Sequence, residues 1–206
     1  MKKLIVIYLL SISISSYSQS DFSIGASIGV GKTLMAAPFG YSGFTSYRAG
    51  VVAQYNIVSF LSAVTEIGTE SYAIRKQNTI AGNKIENIER FTTIDVPVMA
   101  KFSTGENIKP YFSFGVGPSF LLSAKGFSKG ADNIPGSTSN PDAKTDVSEK
   151  YNSTYWSLYS VAGVDLKGEK VIPFIEFKLK HSITDVAPAF VYSPLNSITA
   201  NIGFRF

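Results

Sequence analysis

Apolar and polar residues alternate one by one along most of this chain. A period of two is the signature of β-strands with one greasy face and one polar or small face. In the first run Phe22, Ile24, Ala26, Ile28 and Val30 share a face, opposite Ser23, Gly25, Ser27, Gly29 and Gly31. The period returns in SYRAGVVAQYNI, LSAVTEIGTES, IDVPVMAKF, YFSFGVGPSFLL, WSLYSVAGVDL, IEFKLKHS and SITANIGFRF. The pattern therefore predicts eight strands, an even number, each near the roughly 9–11 residues that a tilted membrane-crossing strand requires. Connections after strands 2, 4 and 6 are tight (VSF, STGENIK, KGEK), whereas those after strands 1, 3, 5 and 7 are longer, the longest running from about Ser123 to Asn152.

Soluble sandwiches and lipocalin-like barrels alternate in the same way. Two features favour lipid. Charges recur at mid-strand on the small-residue face. Aromatics gather at strand ends on the apolar face, at Phe22, Tyr47, Tyr55, Phe102, Phe112, Trp156, Phe174 and Phe204, where interfacial girdles would lie. Lipid cannot satisfy an open sheet edge, so the sheet has to close. The expectation is an all-β fold, an eight-stranded antiparallel up-and-down transmembrane β-barrel in an outer membrane, with short turns at the periplasmic end.

The N-terminus places the chain in the same compartment. Lys2 and Lys3 precede an apolar run from Leu4 to Ile14, and Ser16 and Ser18 suit a cut before Gln19. This reads as a cleaved signal peptide over residues 1–18, too short for a membrane anchor, followed by a barrel domain over 19–206. Of 19 basic residues the cut removes two, leaving a small excess over 15 acidic ones, too mild to suggest a nucleic-acid partner. With no cysteine, a disulfide scaffold is excluded. ASIGVGKT, Ala26 to Thr33, fits a permissive phosphate-binding loop, but it alternates as a strand. The following LMAAPFGYSG, with Pro38, does not continue as a helix, so no nucleotide is expected.

Candidate chemistry is sparse. His181, the single histidine, is followed by Ser182 and Asp185, but strand parity turns it toward lipid, and neither catalysis nor a metal site is expected. Asp132, Asp142, Asp146 and Glu149 match no calcium-loop spacing and are diluted by Lys129, Lys144 and Lys150. No cofactor is implied. The informative polar set faces the interior: Arg48, Glu66, Glu70, Asp95, Lys101, Asp165, Glu176, Lys178, Lys180 and Arg205. Five basic and five acidic groups in a barrel just wide enough for side chains predict a neutral plug rather than a pore lining. Arg48 is expected to pair with Glu70, and Glu176 with Arg205. The segment from Ser128 to Lys150 is expected to add little packing.

FTTIDVPVMAKF and the residues after it resemble a known family. Ile94, Val96, Pro97 and Lys101 match an apolar-x-apolar-Pro motif ahead of a lysine. Pro110, Tyr111, Gly115, Gly117 and Pro118 match a Pro-Tyr, glycine-rich strand, and Gly163 and Asp165 match a strand end. Glu176 and Lys178 fit a later motif, from which Leu179 and Ser182 depart. These residues resemble the PorT-like, porin-family outer-membrane barrels of Bacteroidota. The resemblance implies a barrel without an assigned activity, in some members linked to protein secretion and gliding. Ile198, Ala200, Ile202, Phe204 and Phe206 keep the alternating register of an assembly signal read by barrel-assembly machinery. The expected partners are outer-membrane lipids, that machinery, and envelope or secretion proteins. A non-enzymatic structural or interaction role is favoured over a narrow solute pore and over a lipid-acting enzyme.

Overall fold

The structure, a computed structural model, describes residues 21–35, 42–43, 45–80, 83–129, 145–187 and 194–206. The signal-peptide segment lies outside these residues. Eight long strands form the wall: β1 (Phe22–Met35), β2 (Thr45–Val58), β3 (Leu61–Ile80), β4 (Asn83–Asp95 continued by Val98–Ser103), β5 (Ile108–Lys129), β6 (Thr154–Leu166), β7 (Ile172–Ser182) and β8 (Leu195–Arg205). Each pairs antiparallel with its sequence neighbours, and β1 pairs with β8 from Gly25↔Arg205 to Met35↔Leu195, so the sheet closes on itself. Reciprocal bonds between Ile24 and Phe206, at 3.3 and 2.9 Å, finish the seam. Closure leaves no bare edge, which is the condition for β-structure in hydrocarbon.

Alternation decides which way each residue points. Ile28, Ile67, Phe114, Phe177 and Ile202 stand more than half exposed on the outside. Their strand neighbours Ser27, Glu66, Ser113, Glu176 and Asn201 are buried inside. An outer face of this kind is stable only against lipid. The girdle aromatics Tyr47, Tyr55, Phe102, Phe112, Trp156 and Phe204 are on that face. Phe174 is not. It is 3% exposed and packs inside with Val52, Val64, Met99, Tyr111, Tyr159 and Val161, because it precedes the outward Ile175 by one residue.

Pro97 interrupts β4 without breaking its register. It has no N–H to donate, but its carbonyl accepts from the Glu66 amide at 3.3 Å and the Thr65 hydroxyl at 3.0 Å. Gly117 makes room beside it, since a Cβ there would meet the Pro97 Cα at 2.5 Å. In the turn from β4 to β5, Gly105 adopts φ of 100°, a left-handed conformation that glycine takes without a steric cost.

Three strands run well past the expected limits. β3, β4 and β5 continue outward as a projecting sheet, so the third connection is a strand hairpin through Ile80 and Asn83 rather than a loop. Alternation weakens there because Tyr72, Ala73 and Ile74 are all buried. Two-residue strands flank the projection: Ser42–Gly43 pairs β3 and Thr145–Asp146 pairs β5. One irregularity sits in β5, where Thr93 faces Leu121 but Thr92 faces Ser123, leaving Leu122 as an extra residue, a β-bulge.

Candidate functional site

The barrel interior is the most developed polar site. All ten charged residues placed inside by parity are buried, none more than 8% exposed. They form two linked groups. In the first, the Arg48 guanidinium donates to Glu66 at 3.1 Å, Glu70 at 3.5 Å and Asp95 at 2.8 Å, joining strands β2, β3 and β4. Lys180 reaches across from β7 to Asp95 at 2.7 Å and Glu70 at 3.8 Å, and Lys178 pairs with Glu66 and, at 3.3 Å, with Glu176. In the second, Asp165 lies between Lys101 and Arg205, at 2.5 Å from each.

The expected Arg48–Glu70 pair is present, but Glu176 and Arg205 do not pair. The register sets Ile172 opposite Arg205 and Asn201 opposite Glu176, four residues apart along the strand. Glu176 instead accepts from Tyr111 Oη at 2.7 Å and Asn201 Nδ2 at 3.1 Å. Uncharged members complete the network. Gln54 accepts from Lys101 at 3.2 Å, and the Lys101 ammonium stands 3.7 Å from the centre of the Tyr111 ring. Parity alone places Tyr111, Tyr159 and Asn201 inside, whereas their bonds depend on register.

Glycines make the space. A Cβ on Gly50 would come within 2.5 Å of Glu66 Oε1, and one on Gly68 within 3.0 Å of the Arg48 guanidinium. The Arg48–Glu66 contact therefore occupies volume that two side chains would otherwise fill.

The outer mouth is closed by apolar packing. Tyr72, Ile74, Phe91, Ala124 and Tyr155 from the wall meet Val147 from the fifth connection and Val186, Ala187 and Leu195 from around the seventh. Val147 N–H donates to the Ala124 carbonyl and the Ala124 N–H to Ser148 Oγ, both at 3.0 Å. The stretch Thr145–Lys150 thus folds onto the mouth, contrary to the expectation that all of 128–150 packs little; residues 130–144 lie outside the described residues. The two tyrosines of the cap, Tyr72 and Tyr155, approach to 3.4 Å through their hydroxyls.

Between the charged groups lies a cavity of about 20 Å³, lined by Glu66, Lys101, Tyr111, Glu176 and Lys178 among others. That is close to the space for a single water. At the periplasmic end a polar vestibule of about 460 Å³, walled by Gln54, Asn56, Ser62, Lys109 and Asp165, ends on Arg205.

His181 is half-buried, and its Nδ1 lies 2.5 Å from Asn196 Oδ1. The next residue, Ser182, points to the opposite face and accepts from the Leu195 N–H at 2.6 Å, and Asp185 is exposed. His181 and Ser182 thus point to opposite faces of the strand. Asp146 and Glu149 are exposed, Asp132 and Asp142 fall outside the described residues, and no metal-binding group of acids or histidine forms among the described residues.

A family model described as "Outer membrane protein beta-barrel domain" matches residues 8–187. The chain belongs to this outer-membrane β-barrel family. Its location is accordingly the outer membrane. Among solved structures this barrel is similar to neisserial surface protein A (14% identity, TM-score 0.52, 90% of this chain and 96% of that one). It is also similar to Ail, the attachment invasion locus protein of Yersinia pestis (15%, 0.46, 89% and 98%), and to the outer membrane enzyme PagL (12%, 0.42, 88% and 97%). At these identities the likeness is one of fold. No curated protein matches the sequence.

Proposed function

We propose that this outer-membrane barrel is a non-enzymatic structural and interaction protein rather than a pore. The observation that carries the reading is the filled lumen. Five basic and five acidic side chains neutralise one another inside the wall, and an apolar cap seals the outer mouth. A conducting path needs continuous water. Between the charged groups lies a void of about 20 Å³, near the size of one water. Work is then left to the two ends, the projecting sheet outside and the rim inside, in contact with envelope or secretion proteins of the kind that PorT-like barrels suggest. The motif residues behind that resemblance have structural tasks in this barrel: Pro97 packs beside Gly117, Tyr111 holds Glu176, and Asp165 bridges two cations.

Planar-bilayer recording on the purified full chain is the test. A flat baseline is expected at all voltages, and a steady ohmic conductance would favour the pore instead.

A further inference from the structure

The bulge at Leu122 changes what the outer half of β5 shows to the outside. Along the strand Phe112, Phe114, Val116 and Phe120 face lipid, and strict alternation would turn Ala124 outward and Lys125 into the mouth. The extra residue reverses this. Ala124 is fully buried opposite Phe91, and Lys125 is exposed, directly opposite exposed Arg90 of β4. Bulges commonly re-aim a side chain in this way.

The product is unusual on its own terms. Directly opposed residues on antiparallel strands have Cβ atoms about 4.5–5.5 Å apart, and like charges in that position repel. Neither cation has a carboxylate within ion-pair distance among the described residues. Arg90 lies over the Phe127 ring at 5.8 Å, which holds it on the outward face. Asp146 flanks Lys125 on its other side. Its Oδ1 accepts from the Ser148 N–H at 2.9 Å, and that backbone bond, with the Ser148 hydroxyl and, more weakly, the Lys125 charge, holds the carboxyl below its usual range. One step inward the opposed pair is Thr92 and Ser123, whose hydroxyls share the outward face.

Height identifies the occupant. From the girdle residue Phe102 to Arg90 is twelve residues of β4. At ~3.3 Å per residue and a tilt near 40° this rises about 30 Å, just past an apolar band ~25 Å tall. The two cations therefore stand at the level of the outer-leaflet headgroups, facing the membrane.

We propose that Arg90 and Lys125, with the Thr92 and Ser123 hydroxyls, form a binding site for the phosphate of an anionic lipid headgroup in the outer leaflet. A phosphate between the two strands turns their mutual repulsion into two charge-assisted contacts, with the guanidinium offering a planar pair of donors.

The test uses the full chain folded in zwitterionic vesicles doped with a phosphomonoester lipid. Lipid retained on the protein is measured by native mass spectrometry during stepwise removal of the bilayer, with heat-modifiable migration as the check on folding. The wild type should hold the phosphomonoester lipid in preference to the zwitterionic one. R90Q/K125Q should weaken retention by roughly thirty-fold, and each single variant by about five-fold, the scale of one or two cations beside anionic lipid. If the double variant does not fold, the single variants carry the test. D146N should tighten retention, whereas K170Q at the periplasmic end should leave it unchanged. Equal retention of both lipids, or wild-type retention by folded R90Q or K125Q, would overturn the proposal. Displacement of the lipid by inorganic phosphate at matching concentration would also overturn it, marking a site for a free anion.

Discussion

Arg48 carries three carboxylates at once, on two neighbouring strands, with almost no access to solvent. Its loss would leave Glu66, Glu70 and Asp95 with only Lys178 and Lys180 as counter-charges. Arg48→Met is therefore expected to lower barrel stability by about 3–5 kcal/mol, the usual cost of stranding a buried charge. Urea titration of the folded, heat-modifiable band measures this, and an unchanged midpoint would contradict the network. A finer test concerns who pairs with whom. Arg205→Met and Asp165→Asn should each destabilise, and the double variant should recover part of the loss. Arg205→Met with Glu176→Gln should be closer to additive, because those two side chains do not touch. The side of the wall for each charge was readable from alternation, since lipid and lumen demand opposite chemistries of successive residues. The partners were readable only in part: the expected Arg48–Glu70 pair is present, but most of the others were not anticipated. Pairing depends on register, which no local pattern records, and the expectation of a Glu176–Arg205 pair failed by four residues of stagger.

At the scale of elements, membrane strands are legible where one face meets lipid and the other a polar lumen. β3, β4 and β5 lose that contrast above the bilayer. The run Tyr72, Ala73, Ile74 is buried on both faces, and the outer hairpin was accordingly read as a loop. The bulge left only a faint trace, the three successive apolar residues Phe120, Leu121 and Leu122 where alternation would place a polar one. The fifth connection divides in the same manner. Thr145 pairs with Gly126, so deleting residues 130–144 leaves three residues to close the hairpin, a length that such turns tolerate. That deletion should preserve folding and heat-modifiability. Extending it through Lys150 removes Val147 and Ser148 from the cap and should lower the unfolding midpoint and open the mouth to a polar quencher of Trp or Tyr emission. Equal behaviour of the two deletions would show that the cap does not depend on this segment.

Over the whole molecule, the decisive feature is the ladder between β1 and β8. It brings Ile24 and Phe206 into reciprocal hydrogen bonds, so a circular permutant that joins residue 206 to residue 21 by a short linker and opens within 130–144 keeps every strand pair. It should fold into vesicles in vitro with the heat-modifiable shift of the parent. In cells it should fail to insert if the outward series Ile198, Ala200, Ile202, Phe204 and Phe206 acts as an assembly signal that has to be terminal. Efficient insertion would remove that reading, while failure in vesicles as well would show that strand order itself matters. The closed eight-stranded architecture was legible because each strand repeats the same alternation and the tight and long connections take turns, a regularity that an edge-bearing sheet in lipid cannot share.

The β1–β8 seam also sets a clock. Ile24 and Phe206 are the most distant hydrogen-bonded partners among the described residues, yet their ladder is the one that makes the molecule a ring. Strand pairing between close neighbours is cheap in chain entropy and early, whereas this contact waits on every residue between. Until β8 arrives, two unpaired edges face surroundings in which nothing else satisfies them. Maturation is thus all-or-nothing in time as well as in space: a ribosome that stalls before the last strand leaves no partially useful barrel, only a substrate for quality control.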